Sequence, residues 1–308
     1  MGLHRYLVLL TIALSLLLVL IIWFFPSYED FRAENRFWNG TGALVSGHNV
    51  APLESLADLP PSPGGATLIV IPYLDFARSE LEALDGFVRQ GGTLLLADDF
   101  GYGNRVLEYL GLPERFNGQA LLDPVVNYRN EWLPGIIHLR DSPLTANADS
   151  LVFNHATALL HVADGDIVAL SSSFSFLDQN GNQTRDAAEP SGPLPVISRH
   201  GLGSGQVILI ADPSLFINSM ETMAGNSSLV GNIATAATAG LFIDQSHLPP
   251  SDLHRAKGLL AQIRASIATP AGGLWLALAA LALTLAPVWR RKRGELEKTA
   301  NIITSRPL

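Results

Sequence analysis

The hydrophobic pattern divides the chain into a long mixed segment and two charge-free, mainly apolar runs that enclose it, at residues 6–25 and 270–289. A helix of about 20 apolar residues is long enough to cross the ~30 Å hydrocarbon core of a bilayer. The pattern therefore predicts one transmembrane helix at each run. The first run is longer than the about 7–15 apolar residues of a secretory signal, and no small-residue cleavage pattern follows it. We therefore interpret it as an anchor rather than as a cleaved signal peptide.

Between the two runs, the pattern predicts an α/β domain over residues 41–248, preceded by a connector at 26–40 and followed by an amphipathic stalk helix at 249–269. Continuous aliphatic stretches are typical of strands that are buried on both faces of a parallel sheet. Predicted strands lie at residues 41–46, 67–71, 93–97, 136–139, 151–154, 159–162 and 167–172, with a hairpin at 196–199 and 206–210. Helical spacing of apolar residues predicts helices at residues 53–59, 80–90, 103–110 and 226–243.

The position of the basic residues predicts how the chain is oriented in a membrane. Arg5 precedes the first apolar run, and the basic segment 290–293 directly follows the second. Lys and Arg accumulate on the cytoplasmic side of membrane spans. We therefore expect a protein of the cell membrane with a cytoplasmic N-terminal segment at 1–5, a cytoplasmic basic tail at 290–308 and an extracytoplasmic central domain.

Composition narrows the functional classes. Residues 26–270 contain 13 Lys and Arg against 26 Asp and Glu, a net charge of −13. Such a domain repels polyanions, which excludes nucleic-acid binding. The chain has no cysteine, which excludes disulfides, thiolate metal sites and a cysteine nucleophile.

Polar residues follow several of the predicted strands, and in open α/β sheets ligands bind beyond the carboxyl ends of the strands. The candidates for chemistry there are Ser46, His48, Asp98, Asp99 and Asp212. On a shared edge, a hydroxyl, an imidazole and carboxylates form a hydrolytic or metal-dependent site. The alternative is structural, because Asp and Ser at strand ends commonly cap the next helix or form a turn. No G-x-S-x-G elbow surrounds Ser46.

The sharpest local motif is the segment 178–189, DQNGNQTRDAAE. Its oxygen-bearing side chains at loop positions 1, 3, 5, 9 and 12, with a backbone carbonyl at position 7, have the spacing that surrounds Ca²⁺. The candidate metal ligands are Asp178, Asn180, Asn182, Thr184, Asp186 and Glu189. Gln183 stands at position 6, where glycine normally makes the sharp turn, and the alternative is an acidic surface loop. We favour a structural Ca²⁺ loop.

Three segments carry a resemblance to a known family: FVRQGGTLLLADDFGYGN (87–104), FLDQNGNQTRDAAEPSGPLPV (176–196) and GSGQVILIADPSLFIN (203–218). They resemble the membrane-anchored proteins that contain the domain of unknown function 4350. This resemblance implies a flavodoxin-like (class I glutamine amidotransferase-like) three-layer sandwich flanked by two transmembrane helices. It also implies a genomic context with MoxR-type AAA ATPases and other membrane proteins. Members usually carry glycine at the position of Gln183, a difference that weakens the calcium prediction.

The resemblance implies fold and context rather than activity, because amidotransferase chemistry requires a cysteine that the chain lacks. We expect a membrane-tethered, non-catalytic domain that binds a ligand or a protein partner in a cell-surface assembly, with membrane-protein partners that include a MoxR-type AAA ATPase system. The alternative is a cysteine-independent hydrolase with a Ser/His/Asp site at the strand ends.

Overall fold

The structure, a computed structural model, describes residues 3–304, and the side chains of all of these except residues 288, 290, 291 and 293–304. The predicted terminal segments 1–5 and 290–308 therefore lie partly outside the described residues. The chain divides into two compact units: an α/β unit, Pro26–Pro249, and a helical unit formed by the segments on either side of it.

In the α/β unit, helices are interspersed with strands up to residue 110, a long run of strands follows, and the last helix and strand end the unit. The described helices are α1 (Leu3–Phe24), α2 (Gly42–His48), α3 (Arg78–Arg89), α4 (Asn104–Leu110), α5 (Asn226–Ala236), α6 (Asp252–Ala268) and α7 (Pro270–Thr304). The described strands are β1 (Ala51–Leu53), β2 (Thr67–Val70), β3 (Thr93–Ala97), β4 (Arg115–Phe116), β5 (Ala120–Leu122), β6 (Gly135–Ile136), β7 (His138–Leu139), β8 (Leu151–Val152), β9 (Leu159–Leu160), β10 (Ile167–Leu170), β11 (Phe176–Asp178), β12 (Pro195–Leu202), β13 (Gly205–Ile210) and β14 (Leu241–Asp244).

Strands of the α/β unit form a main sheet in the order β1-β14-β2-β3-β13-β12-β10-β7. Neighbours from β1 to β13 run parallel, and β12, β10 and β7 continue the sheet in antiparallel pairs. All of β2, and β3 beyond its first residue, is buried. Because successive side chains of a strand point to opposite faces, this burial requires cover on both faces. The fold is therefore mixed α/β with a central, mostly parallel sheet.

The helical unit contains two helices that are long and apolar enough to cross a membrane, Leu3–Phe24 and the Pro270–Pro287 part of α7. Helix α6 lies between them in sequence, at the place of the predicted stalk, and contacts α1. The Arg264 guanidinium lies over the Trp23 ring at 5.7 Å, and Lys257 donates a hydrogen bond to the Phe25 carbonyl. Thr269, whose backbone is extended, separates α6 from Pro270, as expected for a residue that precedes proline.

The strand predicted at 41–46 is wrong, because Thr41 directly precedes α2 and residues 42–46 lie in it. Only Leu44 of this helix is buried, so the aliphatic run does not need cover on two faces. The side chain of Asn218 accepts a hydrogen bond from the Ala43 amide, which satisfies one of the free donors at the helix start. The helix ends at Asn49, whose backbone is left-handed with φ 53°.

The prediction of one helix over residues 226–243 is correct at its start and wrong at its end. Helix α5 stops at Ala236, and the chain turns through Gly240, with φ 121°, before it enters β14. This strand pairs with both β1 and β2 and so lies inside the parallel sheet. The short helix predicted at 53–59 is replaced by β1 and a single 3₁₀ turn at Leu56–Asp58. In contrast, the hairpin of β12 and β13 is present, with Leu202 opposite Gly205.

The segment predicted as a connector, 26–40, is packed within the α/β unit. Phe31, Arg32 and Asn35 are all buried. The Arg32 guanidinium donates hydrogen bonds to the carbonyls of Gln245 and Leu248, at 3.0 and 3.1 Å. This segment therefore covers the loop that follows β14.

Candidate functional site

The candidate site lies at the carboxyl ends of the neighbouring parallel strands β2, β3 and β13. Tyr73 follows β2, Asp98 and Asp99 follow β3, and Asp212 follows β13. Because β3 pairs with both β2 and β13 in the parallel sense, these ends lie at one edge of the sheet. The structure thus brings together three of the predicted site residues, Asp98, Asp99 and Asp212, with a tyrosine that was not among them.

Asp98 has a structural role at this edge. Its carboxylate accepts hydrogen bonds from the amides of Phe100, Gly101 and Gly103, at 2.9, 3.0 and 2.6 Å. These bonds shape the turn that leads into α4. Burial raises the pKa of Asp98, although the backbone hydrogen bonds act in the opposite direction.

Asp212 is completely buried and also has its oxygen atoms occupied. One oxygen accepts from the Asn154 amide at 2.7 Å, and the other accepts from the Ser214 amide at 2.8 Å. Burial raises the pKa of Asp212, and these hydrogen bonds partly offset that effect. Asp98 and Asp212 therefore both have the structural role that the sequence offered as the alternative, in which an Asp at a strand end holds the following turn.

Asp99 differs from its two neighbours. Its Oδ1 atom is buried and has no hydrogen-bond partner. Burial, and then the negative charge of Asp98, raise the pKa of Asp99 to about 7. An unpartnered carboxylate oxygen at the carboxyl edge of a parallel sheet is a candidate for binding a ligand.

Aromatic side chains cluster at the same strand ends. The ring centroid of Tyr73 lies 5.9 Å from that of Phe100 and 6.1 Å from that of Tyr102, and the last two are 6.2 Å apart. Phe100 and Tyr102 are 61% and 48% exposed. We call Tyr73, Asp99, Phe100 and Tyr102 the acidic aromatic rim.

Negative charge accumulates at the acidic aromatic rim. Burial raises the pKa of Tyr73 far above its ordinary value, and the nearby charges of Asp99, Asp30, Asp98 and Asp212 raise it further. Among residues 3–304, none of these four carboxylates forms an ion pair. When Asp99 is ionised, the rim therefore combines a carboxylate that no ion pair compensates with the exposed rings of Phe100 and Tyr102, a combination that attracts cations.

Ser46 and His48 do not belong to this edge, which corrects their predicted placement at a strand end. Both lie in α2, and the Ser46 hydroxyl donates to the carbonyl of Gly42 at 2.8 Å. The His48 Nε2 atom lies 3.5 Å from Glu221 Oε1. Within the part of the chain that the structure describes, no hydrogen bond or ion pair joins either residue to Asp98, Asp99 or Asp212.

The predicted calcium ligands lie in one loop, which begins at Asp178, the last residue of β11. Its acidic oxygens accept backbone hydrogen bonds: Asp178 from the amides of Gly181, Asn182 and Gln183, and Glu189 from those of Gln179 and Asp186. Asn180 and Asn182 each donate a side-chain amide hydrogen bond to Asp186, and the Asn182 carbonyl oxygen accepts from the Thr184 amide. The loop is thus closed by its own hydrogen bonds, and calcium binding stays a prediction.

Gln183 adopts a left-handed backbone with φ 59°. The chain therefore makes the turn that glycine favours although a glutamine stands there. This conformation costs about 1–3 kcal/mol for a residue with a side chain.

A buried polar group that the sequence reasoning missed lies in the loop after β14, where the His247 carbonyl accepts a hydrogen bond from the Tyr73 amide at 3.0 Å. His247 Nδ1 lies 2.6 Å from Asp244 Oδ2, and His247 Nε2 lies 3.5 Å from Glu80 Oε2. Burial lowers the pKa of His247, but the hydrogen bond and charge of Asp244, together with Glu80, outweigh it and raise the pKa overall. The His247 ring also stacks on Phe76 at 3.9 Å. The missed strand β14 explains why the sequence did not reveal this group.

Comparisons with known proteins give a family and several distant structural likenesses. Residues 33–234 match the family described as a domain of unknown function (DUF4350). No curated protein sequence matches the chain. The structure is similar to the mmIFT52 N-terminal domain over 55% of this chain and 77% of that one, with 18% identity and a TM-score of 0.43.

Two further likenesses are weaker. A β-galactosidase from Bacillus circulans sp. alkalophilus matches 55% of this chain and 22% of its own, with 14% identity and a TM-score of 0.36. A ThuA-like protein from Bacteroides uniformis matches 56% of this chain and 71% of its own, with 11% identity and a TM-score of 0.29. These likenesses carry no conclusion about activity.

Proposed function

Since this chain belongs to the family described as a domain of unknown function, DUF4350, we propose a function from its own geometry. The α/β unit is a non-catalytic binding domain, tethered to the cell membrane by its terminal helices. Its acidic aromatic rim binds a cationic side chain, Lys or Arg, of a partner protein.

The observation that carries this proposal is the unpartnered oxygen of Asp99, at the strand ends where Tyr73, Phe100 and Tyr102 cluster. A charge-assisted hydrogen bond from an ammonium or guanidinium group to Asp99 contributes about 1.5–3 kcal/mol. Contact of the same cation with the face of Tyr73, Phe100 or Tyr102 adds about 0.5–2 kcal/mol. The net charge of −13 over residues 26–270 favours encounter with a basic partner.

The hydrolase alternative has less support. A nucleophile must lie within hydrogen-bond reach of its base, whereas the Ser46 hydroxyl donates to a backbone carbonyl of its own helix and His48 faces Glu221. The carboxylates of Asp98 and Asp212 accept hydrogen bonds from backbone amides, which leaves them less free to contact a substrate. Since, among the described carboxylates of this edge, only Asp99 has a buried oxygen that is unpartnered, a binding role is better supported than catalysis.

We propose that both apolar helices span the membrane with their outer ends in the cytoplasm, so that the rim is extracytoplasmic. The basic segment 290–293 beside the second apolar run supports this orientation. The burial of β2 and β3 on both faces supports a flavodoxin-like (class I glutamine amidotransferase-like) three-layer sandwich. The resemblance to its family supports membrane-protein partners and an assembly that a MoxR-type AAA ATPase matures.

Binding of a dye-labelled, lysine-rich peptide to the full-length protein in detergent micelles tests the proposal, with the lysine-acetylated form of the same peptide as the neutral probe. The lysine form should bind at least about tenfold more tightly, a difference of about 1.4 kcal/mol. Asp99→Asn and Tyr102→Ala should remove this preference.

The matched control is Asp75→Asn, which deletes the same charge from an exposed carboxylate soon after β2 and should retain the preference. Equal affinity for the two peptides, or a preference that survives in Asp99→Asn, would contradict a cation site at the rim.

A further inference from the structure

A second cluster of chemically active side chains lies in the antiparallel part of the α/β unit. It contains Glu114, Asp166 and His200, each of which offers one ligand atom, and these three atoms lie within 4.8 Å of one another. The His200 Nδ1 atom is 3.3 Å from Glu114 Oε1 and 3.5 Å from Asp166 Oδ2. The three residues are far apart in sequence, so no local sequence motif indicates that they form a cluster.

The sheet register explains how they meet. His200 lies in β12, and Asp166 ends the short 3₁₀ turn that leads into β10. These strands are antiparallel neighbours with Ile167 opposite Ser198, which places the end of the turn beside His200. Glu114 immediately precedes β4, which pairs with β9.

Ordinary hydrogen bonds do not satisfy the polar atoms of this cluster. The His200 Nδ1 atom is buried and has no hydrogen-bond partner, although two carboxylate oxygens lie nearby. The Glu114 side chain is only 1% exposed, and its Oε2 atom has no partner either. Unpartnered buried polar atoms are costly, and a cation held by His200 Nδ1 and the Glu114 carboxylate would reduce this cost.

The distances fit such a cation. Zinc binds histidine nitrogen and carboxylate oxygen at about 2.0–2.2 Å in a tetrahedral arrangement, which sets neighbouring ligand atoms about 3.3–3.5 Å apart. The two nitrogen–oxygen distances here are 3.3 and 3.5 Å. The guanidinium of Arg115, the residue after Glu114, donates to the backbone carbonyls of Leu112 and Glu114, and so leaves the Glu114 carboxylate available.

We propose that Glu114, Asp166 and His200 form a site for a divalent transition metal, with zinc as the ion that their one nitrogen and two oxygens suit best. Water completes the coordination. The site is separate from the acidic aromatic rim: His200 lies opposite Val207 near the start of β13, whereas Asp212 follows the other end of that strand. The five residue steps from Val207 to Asp212 span about 17 Å.

Zinc titration of the metal-free, full-length protein in detergent micelles tests this inference, with bound metal measured after gel filtration. The wild type should bind one equivalent of Zn²⁺ and melt at a higher temperature with it. Loss of a hydrogen-bond partner behind a metal ligand costs about 10–100-fold in affinity. Loss of a ligand itself, in His200→Gln or Asp166→Asn, should therefore weaken binding by at least about 100-fold.

Both substituted side chains are about one-third exposed, at 30% and 32%, so we expect these variants to fold, and their urea-unfolding midpoints without metal check this. His138→Gln, which alters an exposed histidine of β7, is the matched control and should bind zinc as the wild type does. Absence of saturable Zn²⁺ binding, or unchanged binding in His200→Gln and Asp166→Asn, would show that the cluster is an ion pair only. This result is independent of peptide binding at the rim.

Discussion

Replacing Asp99 by asparagine should stabilise the α/β unit at alkaline pH, because the folded state holds this carboxylate where its charge is unfavourable. The pKa of Asp99 is raised from 3.8 to about 7. A shift of about three units corresponds to about 4 kcal/mol in a fully buried site. Since Asp99 is partly exposed, we expect a gain of about 1–3 kcal/mol for Asp99→Asn.

The pH dependence gives this prediction its sign. In the unfolded chain Asp99 ionises near 3.8, whereas in the folded chain it keeps its proton up to about pH 7. Wild-type stability therefore falls as the pH rises through this window, and the loss is complete above pH 7. Asparagine carries no charge at any pH, so the advantage of Asp99→Asn should be small at pH 4 and reach its full value at pH 8.

Urea unfolding of the full-length protein in detergent micelles, followed by circular dichroism at pH 4, 6 and 8, measures this difference. Asp75→Asn is the control, because it removes an exposed carboxylate of the same type and should change stability little at each pH. An Asp99→Asn protein that is less stable than wild type at pH 8, or a difference that is independent of pH, would refute the reasoning. A residue that reduces stability in this way is typical of a binding site rather than of a structural role.

Three further predictions concern other parts of the chain. His247→Gln should destabilise the protein most near pH 6, because a raised histidine pKa stabilises the fold only while the ring is protonated. The stability difference from wild type should therefore shrink as the pH rises above 6.5, and thermal melts across this range would test this. Ca²⁺ at 100 times its Kd should raise the melting temperature by about 5–10 °C, and Gln183→Gly should give a larger increase at the same calcium concentration, whereas a melting temperature indifferent to calcium and chelator would exclude a calcium loop. Protease added to intact cells should remove the α/β unit and spare a C-terminal tag, and complete protection of the unit would contradict the proposed orientation.

The sequence predicted the acidic edge of the sheet well, because the aliphatic strands before it carry a strong signal. The stretches at 67–71 and 93–97 are buried on both faces in the structure, so the polar residues after them could be placed at strand ends. The same reasoning failed for Ser46 and His48. Their aliphatic run, 41–46, is short enough to form either element, and the tertiary contact from Asn218 favours a helix there.

Features that depend on long-range pairing could not be predicted. Strand β14 directly follows α5 and a turn, and its short apolar run continues the helical pattern of residues 226–236. The cluster of Glu114, Asp166 and His200 depends on the register of β10 against β12, which no spacing along the chain encodes. Tyr73 was visible in sequence after its strand, but only the packing of Phe100 and Tyr102 around it shows an aromatic surface.

The pH dependence of cation binding tests the central claim most directly, because Asp99 must be ionised to hold the cation. With a pKa of about 7, Asp99 is about 10% ionised at pH 6 and about 90% ionised at pH 8, while a lysine side chain stays charged throughout. The Kd of the full-length protein for the lysine-rich peptide should therefore fall about ninefold between these two pH values, and this change should vanish in Asp99→Asn. An equal Kd at pH 6 and pH 8 in the wild type, or the same pH dependence in the variant, would contradict the assignment of the rim as a cation-binding site.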